Sequence, residues 1–133
     1  MAHEHIVYMM LVDAAATARD RTTILKYAPL LEELATRDDH RCYLAVAYRS
    51  YGIAHRLSEE YEQADAYLQK ALRVFEELGT PWQLGRTLYE LGELAYLRGD
   101  KDLSREMFTK ALEEFDRIHA KPDAARTKAA LGG

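Results

Sequence analysis

With 133 residues, 48% of them apolar and 30% charged, the chain is long enough for one packed core and has the balance of a folded globular protein, which excludes a disordered segment. A net charge of −4, from 18 basic and 22 acidic residues with no basic run, excludes the electrostatic footprint that nucleic acid needs. The single Cys42 excludes an internal disulfide, and no charged start with a long apolar stretch marks an export signal or membrane span, so the sequence points to the cytoplasm.

The most apolar segment comes first. His5 to Val12 reads HIVYMMLV, too short to cross a bilayer and ended by Asp13, so it predicts a buried helix face. His3 and His5 flank Glu4, but residues two apart on a helix point away from each other, so both are expected on solvent and no metal site is expected. Residues 3–36 predict a degenerate first helical pair, 3–18 and 19–36. An offset of 43 to 44 sets Lys26–Leu34 over Lys70–Leu78, so that Leu31-Glu32-Glu33-Leu34 echoes Phe75-Glu76-Glu77-Leu78. Pro29 inside its second helix predicts a kink or a break.

Residues 39–79 form the next unit. Tyr48, Tyr51, Gly52 and His55 make one stripe at helical spacing; Ser58-Glu59-Glu60 breaks it; Tyr61, Ala64, Leu68, Ala71, Leu72, Phe75 and Leu78 make another. Residues 80–119 repeat this plan. Thr80 as N-cap, Pro81 at the first helical position and Gln83 three residues after Thr80 predict a capping box opening a helix to about residue 98. Gly99-Asp100 ends it and caps a helix from about 101 to 119, and Pro122 opens a capping helix over 122–131 with Ala124, Ala125, Ala129 and Leu131 as its apolar residues.

A shift of 40 residues lays Tyr48–Gly79 over Leu88–His119. Lys70, Ala71, Leu72 and Phe75 recur as Lys110, Ala111, Leu112 and Phe115, and Gly52 and Leu57 recur as Gly92 and Leu97. Gly52 with Ala64, and Gly92 with Ser104, predict the points where the two antiparallel helices of a unit cross, since a minimal side chain lets backbones approach there.

No catalytic pattern emerges: the chain has no phosphate-binding G-x-x-x-x-G-K-[ST], no H-E-x-x-H and no strand-turn-helix setting for a nucleophile, so neither enzyme activity nor a cofactor is expected. His55 and Glu59 share a helix face but are expected to pack rather than ligate, and Cys42 is expected to be a small buried hydrophobe.

These residues resemble the tetratricopeptide family. The nearest matches are Leu88-x-x-Leu91-Gly92-x-x-Ala95 and Tyr48-x-x-Tyr51-Gly52-x-x-His55, each followed by the small-residue spacing of a second helix. The period of about 40 and the ending Phe115–Arg126 are similar to the longer units of bacterial regulators, such as the sensor regions of transcription activators, signalling ATPases and nucleotide cyclases. The resemblance implies an all-α, short right-handed solenoid of three helical pairs and a capping helix, acting as a non-catalytic scaffold or sensor that binds a protein or peptide in its concave groove. It implies a groove lined by Arg49, Ile53 and Arg56 in one unit and by Arg86, Tyr89, Glu93 and Tyr96 in the next, with the three Arg suited to an acidic or carboxylate-bearing segment. The carboxylate clamp that some members close on chaperone tails requires Asn, which this chain lacks entirely. Two other expectations stand beside it: self-association through the first helix, with Ile6, Val7, Met9, Met10 and Leu11, or a regulatory piece of a larger signalling enzyme or activator.

Overall fold

The computed structural model describes the backbone of residues 2–132 and the side chains of residues 4–132. Among the described residues there are seven helices and no strand: α1 (Ala2–Thr17), α2 (Arg21–Arg37), α3 (Arg41–Leu57), α4 (Tyr61–Leu78), α5 (Pro81–Leu97), α6 (Lys101–Arg117) and α7 (Lys121–Gly132).

One device ends the first six helices. A residue at positive φ recurs at every twentieth position, as Arg19, Asp39, Glu59, Gly79, Gly99 and His119. At each, the N–H reaches back to the carbonyl three residues earlier and the next N–H to the carbonyl five residues before it; Glu59 N to Arg56 O and Glu60 N to His55 O are both 2.9 Å. This paired closure satisfies the last carbonyls of the helix, and the residue after it is placed to cap the next one. Asp20 accepts from the Thr23 amide at 3.2 Å and Asp100 from the Leu103 amide at 3.0 Å. Thr80 holds the N-cap position with Pro81 behind it, but its hydroxyl makes no capping hydrogen bond, so the expected capping box does not form.

The turns fix the register of the first pair at an offset of 40, not 43 to 44. Ile24, Ala28, Leu31 and Ala35 are buried in α2 where Ala64, Leu68, Ala71 and Phe75 are buried in α4 and Ser104, Phe108, Ala111 and Phe115 in α6. The offset read from the Leu-Glu-Glu-Leu echo is one helical turn out, and a one-turn slip keeps apolar residues on the same face, so periodicity alone does not expose it. Of the kink or break expected at Pro29, the break is absent: α2 runs through it, with Pro29 on the exposed side.

The chain divides into two compact units, residues 1–74 and 75–133. In the first, α1 packs on α2 and α3, and α2 on α3. α3 and α4 cross at Gly52, where an added Cβ would lie 2.6 Å from Leu68 Cγ and 3.2 Å from the Ala64 carbonyl oxygen. In the second, α5 and α6 run antiparallel: Gly92 meets Phe108, and seven residues back along α5 Gly85 meets Phe115, seven residues on along α6. Ser104 Oγ donates to the Gly92 carbonyl at 2.8 Å, fixing the crossing that small residues at 92 and 104 predicted. α7 packs on α6 and buries Ala124 and Thr127, while Ala125 and Ala129 of the expected apolar set are exposed. Leu57, Leu78 and Leu97, counted in the repeat pattern, are exposed at helix ends.

Candidate interaction surface

The residues expected to line a groove fall into two groups that differ in exposure. In the first unit, Arg49, Ile53 and Arg56 are only 1% to 5% exposed. Arg49 Nη2 lies 3.4 Å from Asp13 Oδ1, an ion pair across 36 residues of sequence. Side chains this buried offer a partner almost no surface, and a buried guanidinium with a carboxylate beside it is a packing element.

The first unit is rich in ring contacts. Tyr48, Tyr51 and His55 surround Tyr67, Lys70 Nζ sits 4.7 Å from the Tyr48 ring centre, and Tyr51 donates from its hydroxyl to Glu32 at 2.9 Å. Burial first, then the Glu32 hydrogen bond, pushes the Tyr51 phenol well above its ordinary pKa. His55 meets Glu60 at 3.0 Å rather than Glu59, which sits in the turn. His5, expected on solvent, is buried: Nε2 lies 3.0 Å from Asp38 Oδ2 and 3.2 Å from the Leu34 carbonyl oxygen, beside the rings of His40 and Tyr43. His3 lies outside the described side chains. Cys42 is half-buried, and burial pushes its thiol up, away from the reactive thiolate.

In the second unit, α5 presents Trp82, Arg86, Tyr89, Glu93 and Tyr96 along one stripe at helical spacing, and Tyr96 is 57% exposed. α7 holds the stripe in place. Trp82 Nε1 donates to Asp123 Oδ2 at 3.0 Å, Asp123 also pairs with Arg126, and the Arg126 guanidinium lies 5.4 Å from the Tyr89 ring centre. Arg86 lies over the Trp82 ring at 4.7 Å. Burial, then the charge and hydrogen bond of Glu93, push the Tyr89 phenol up to about 12 against the pull of Arg126. At the far end of the stripe Tyr96, Phe108 and Leu131 form the apolar part of a depression that is also lined by Lys101, Asp102 and Arg105.

Sequence reasoning missed Trp82 and Arg126. Trp82 was findable, since it lies one turn before Arg86 on the same stripe; Arg126 was not, since nothing local says that α7 reaches α5. Among the described residues no group of three His, Cys, Asp or Glu is placed to hold a metal, and no helix is long and apolar enough to cross a membrane.

Antiparallel helical pairs closed at a strict 20-residue interval define a helical-repeat protein. Residues 39–132 match the family model described as Tetratricopeptide repeat, and the chain belongs to that family, whose repeats generally mediate protein–protein interaction. No curated protein matches the chain.

Proposed function

We propose that this chain is a non-catalytic interaction module that binds a protein or peptide through the α5 stripe of its second unit, with Tyr96, Tyr89 and Trp82 as aromatic anchors, Arg86 and Glu93 as polar contacts, and Arg126 as support. The observation that carries the reading is the stripe itself: aromatic and Arg side chains, the residue types that dominate binding energy at interfaces, stand in one row on a part-exposed helix face, with Trp82 and Tyr96 the most exposed. Lys101 and Arg105 outweigh Asp102 in the lining of the depression beside Tyr96, which favours a partner segment carrying carboxylates. The burial of Arg49, Ile53 and Arg56 supports reading them as part of the fold of the first unit and not as anchors.

The chain's one tryptophan lies in the stripe, so binding has an intrinsic probe. A panel of acidic peptides titrated into the protein and followed by Trp82 fluorescence is expected to give salt-sensitive binding. Tyr96→Ala is expected to weaken it at least tenfold and Lys101→Ala with Arg105→Ala to remove most of the salt dependence. Binding that is indifferent to both variants would place the working surface elsewhere.

A further inference from the structure

The Trp82 indole already holds a carboxylate, and the carboxylate is the chain's own. Asp123 stands in the first turn of α7. Its Oδ2 accepts from Trp82 Nε1 at 3.0 Å, and its Oδ1 pairs with Arg126 one turn on. An aromatic anchor and a guanidinium thus converge on one acidic side chain at the start of the stripe. Asp123 does not saturate Arg126: a guanidinium carries five N–H donors, and this side chain is 52% exposed, against 18% for Asp123. A carboxylate arriving from solvent therefore meets Arg126 first. Replacing Asp123 at the indole exchanges one carboxylate for another. Asp123, once displaced, keeps a favourable place, because the first turn of a helix attracts negative charge.

We propose that Trp82 Nε1 and Arg126 form a second carboxylate-binding position on the α5 stripe, held by Asp123 until an acidic side chain of the partner takes its place. This exchange rests on the α5 stripe being the working surface. Charge along the stripe then sets the partner's pattern. Arg86 and Arg126 stand at the Trp82 end. In the middle Glu93 accepts from the Tyr89 phenol, and the charge of Glu90 also reaches it. At the Tyr96 end Lys101 and Arg105 outweigh Asp102. The order positive, negative, positive selects two acidic positions in the partner with none between them. Trp82 and Tyr96 are fourteen residues apart on one helix, about 20 Å at ~1.5 Å per residue. The shortest segment that reaches both ends is extended, and about six residues of it span that distance at ~3.3 Å each. The partner is therefore an extended segment with acidic residues about six apart and a neutral or basic stretch between, recognised by its side chains and not by a chain end.

End-blocked glycine–serine peptides carrying two glutamates three, six or nine residues apart, and one carrying a single glutamate, are titrated into the full chain and followed by Trp82 fluorescence. The separation of six is expected to bind tightest, by about fivefold over the other two. Removing one glutamate from that peptide is expected to cost about tenfold against wild type and less than about twofold against Arg126→Gln, a cycle that cancels whatever support Arg126 gives to Tyr89. Asp123→Ala, its folding checked by helical circular dichroism, is expected to bind the same peptide about threefold more tightly, since the internal competitor is gone. The cycle does not depend on that variant. Wild-type binding that is lost in Tyr96→Ala yet shows no coupling to Arg126, or a folded Asp123→Ala that binds no more tightly, overturns the exchange and leaves α5 as the working surface. Peptides that bind neither wild type nor Asp123→Ala overturn the α5 surface, and the exchange with it.

Discussion

Four of the six turn residues at positive φ are not glycine: Arg19, Asp39, Glu59 and His119. A side chain there costs roughly 1 kcal/mol against glycine, whose missing Cβ removes the clash, while glycine's extra freedom in the unfolded chain takes part of that back. Glu59→Gly is therefore expected to raise the urea midpoint by the equivalent of about 0.5–1 kcal/mol, although the substitution removes a charge and adds no contact. Arg49 makes the opposite case at the same scale. Its type and position matched a groove anchor, and the partner that makes it a buried residue, Asp13, stands 36 residues away, beyond any local pattern. Arg49→Ala is expected to destabilise the chain by about 2–4 kcal/mol, and a cycle with Asp13→Ala to show coupling of about 1–3 kcal/mol. An anchor on an open surface would cost binding and leave the denaturation midpoint alone.

At the scale of the element, the helices and their ends were legible because each signal was local: apolar spacing for the face, Gly, Asp or Pro for the ends, and Gly52 and Gly92 for the crossings. The first pair was legible as two helices but not in register, because a slip of one turn preserves the face and only the turn residues Arg19 and Asp39, neither of them a turn signal as conspicuous as glycine, betray the true phase. Gly85 was passed over for a different reason: the residue forty before it is Ala45, so the position repeats as small, not as glycine. The crossing at Gly92 carries a prediction that separates packing from propensity. Alanine improves a helix interior by about 1 kcal/mol over glycine, yet its Cβ would lie 2.7 Å from the Phe108 ring, which is buried and cannot swing away. Gly92→Ala is expected to lose about 1–2 kcal/mol net, and Gly92→Ala with Phe108→Leu to lose less than the sum of the two single changes, by chemical denaturation.

Across the whole molecule the repeat was legible and the difference in exposure between corresponding positions of the two units was not, since exposure depends on what each unit packs around a given helix position. Position 49 is a buried arginine and position 89, forty on, a half-buried tyrosine in a surface stripe. The titrating groups record this environment in both units. Asp20 and Asp38 are held below the usual carboxylate range, Asp20 by the hydroxyl and amide of Thr23 and Asp38 by Arg37. Their contribution is thus present above the unfolded value near 3.8 and fades as pH falls through the folded values. Both lie at the surface, so the acid side of the stability profile is expected to be shallow. The alkaline side differs. Tyr51 in the first unit and Tyr89 in the second have raised pKa values, the latter about 12, because each phenol is partly buried against a carboxylate, Glu32 or Glu93. A raised folded pKa means that the native chain holds the proton more tightly than the unfolded one, so the stabilisation is complete below the unfolded value of 10 and is lost as pH climbs from there toward the folded value. Melting temperature is expected to stay level from neutral pH to about 9 and then to fall steeply between 10 and 12, with the 295 nm absorbance of tyrosinate lagging behind that of a free phenol. Tyr51→Phe with Tyr89→Phe should make that fall shallower, and an alkaline limb that does not change in the double variant would mean that these two carboxylate-facing phenols do not set it.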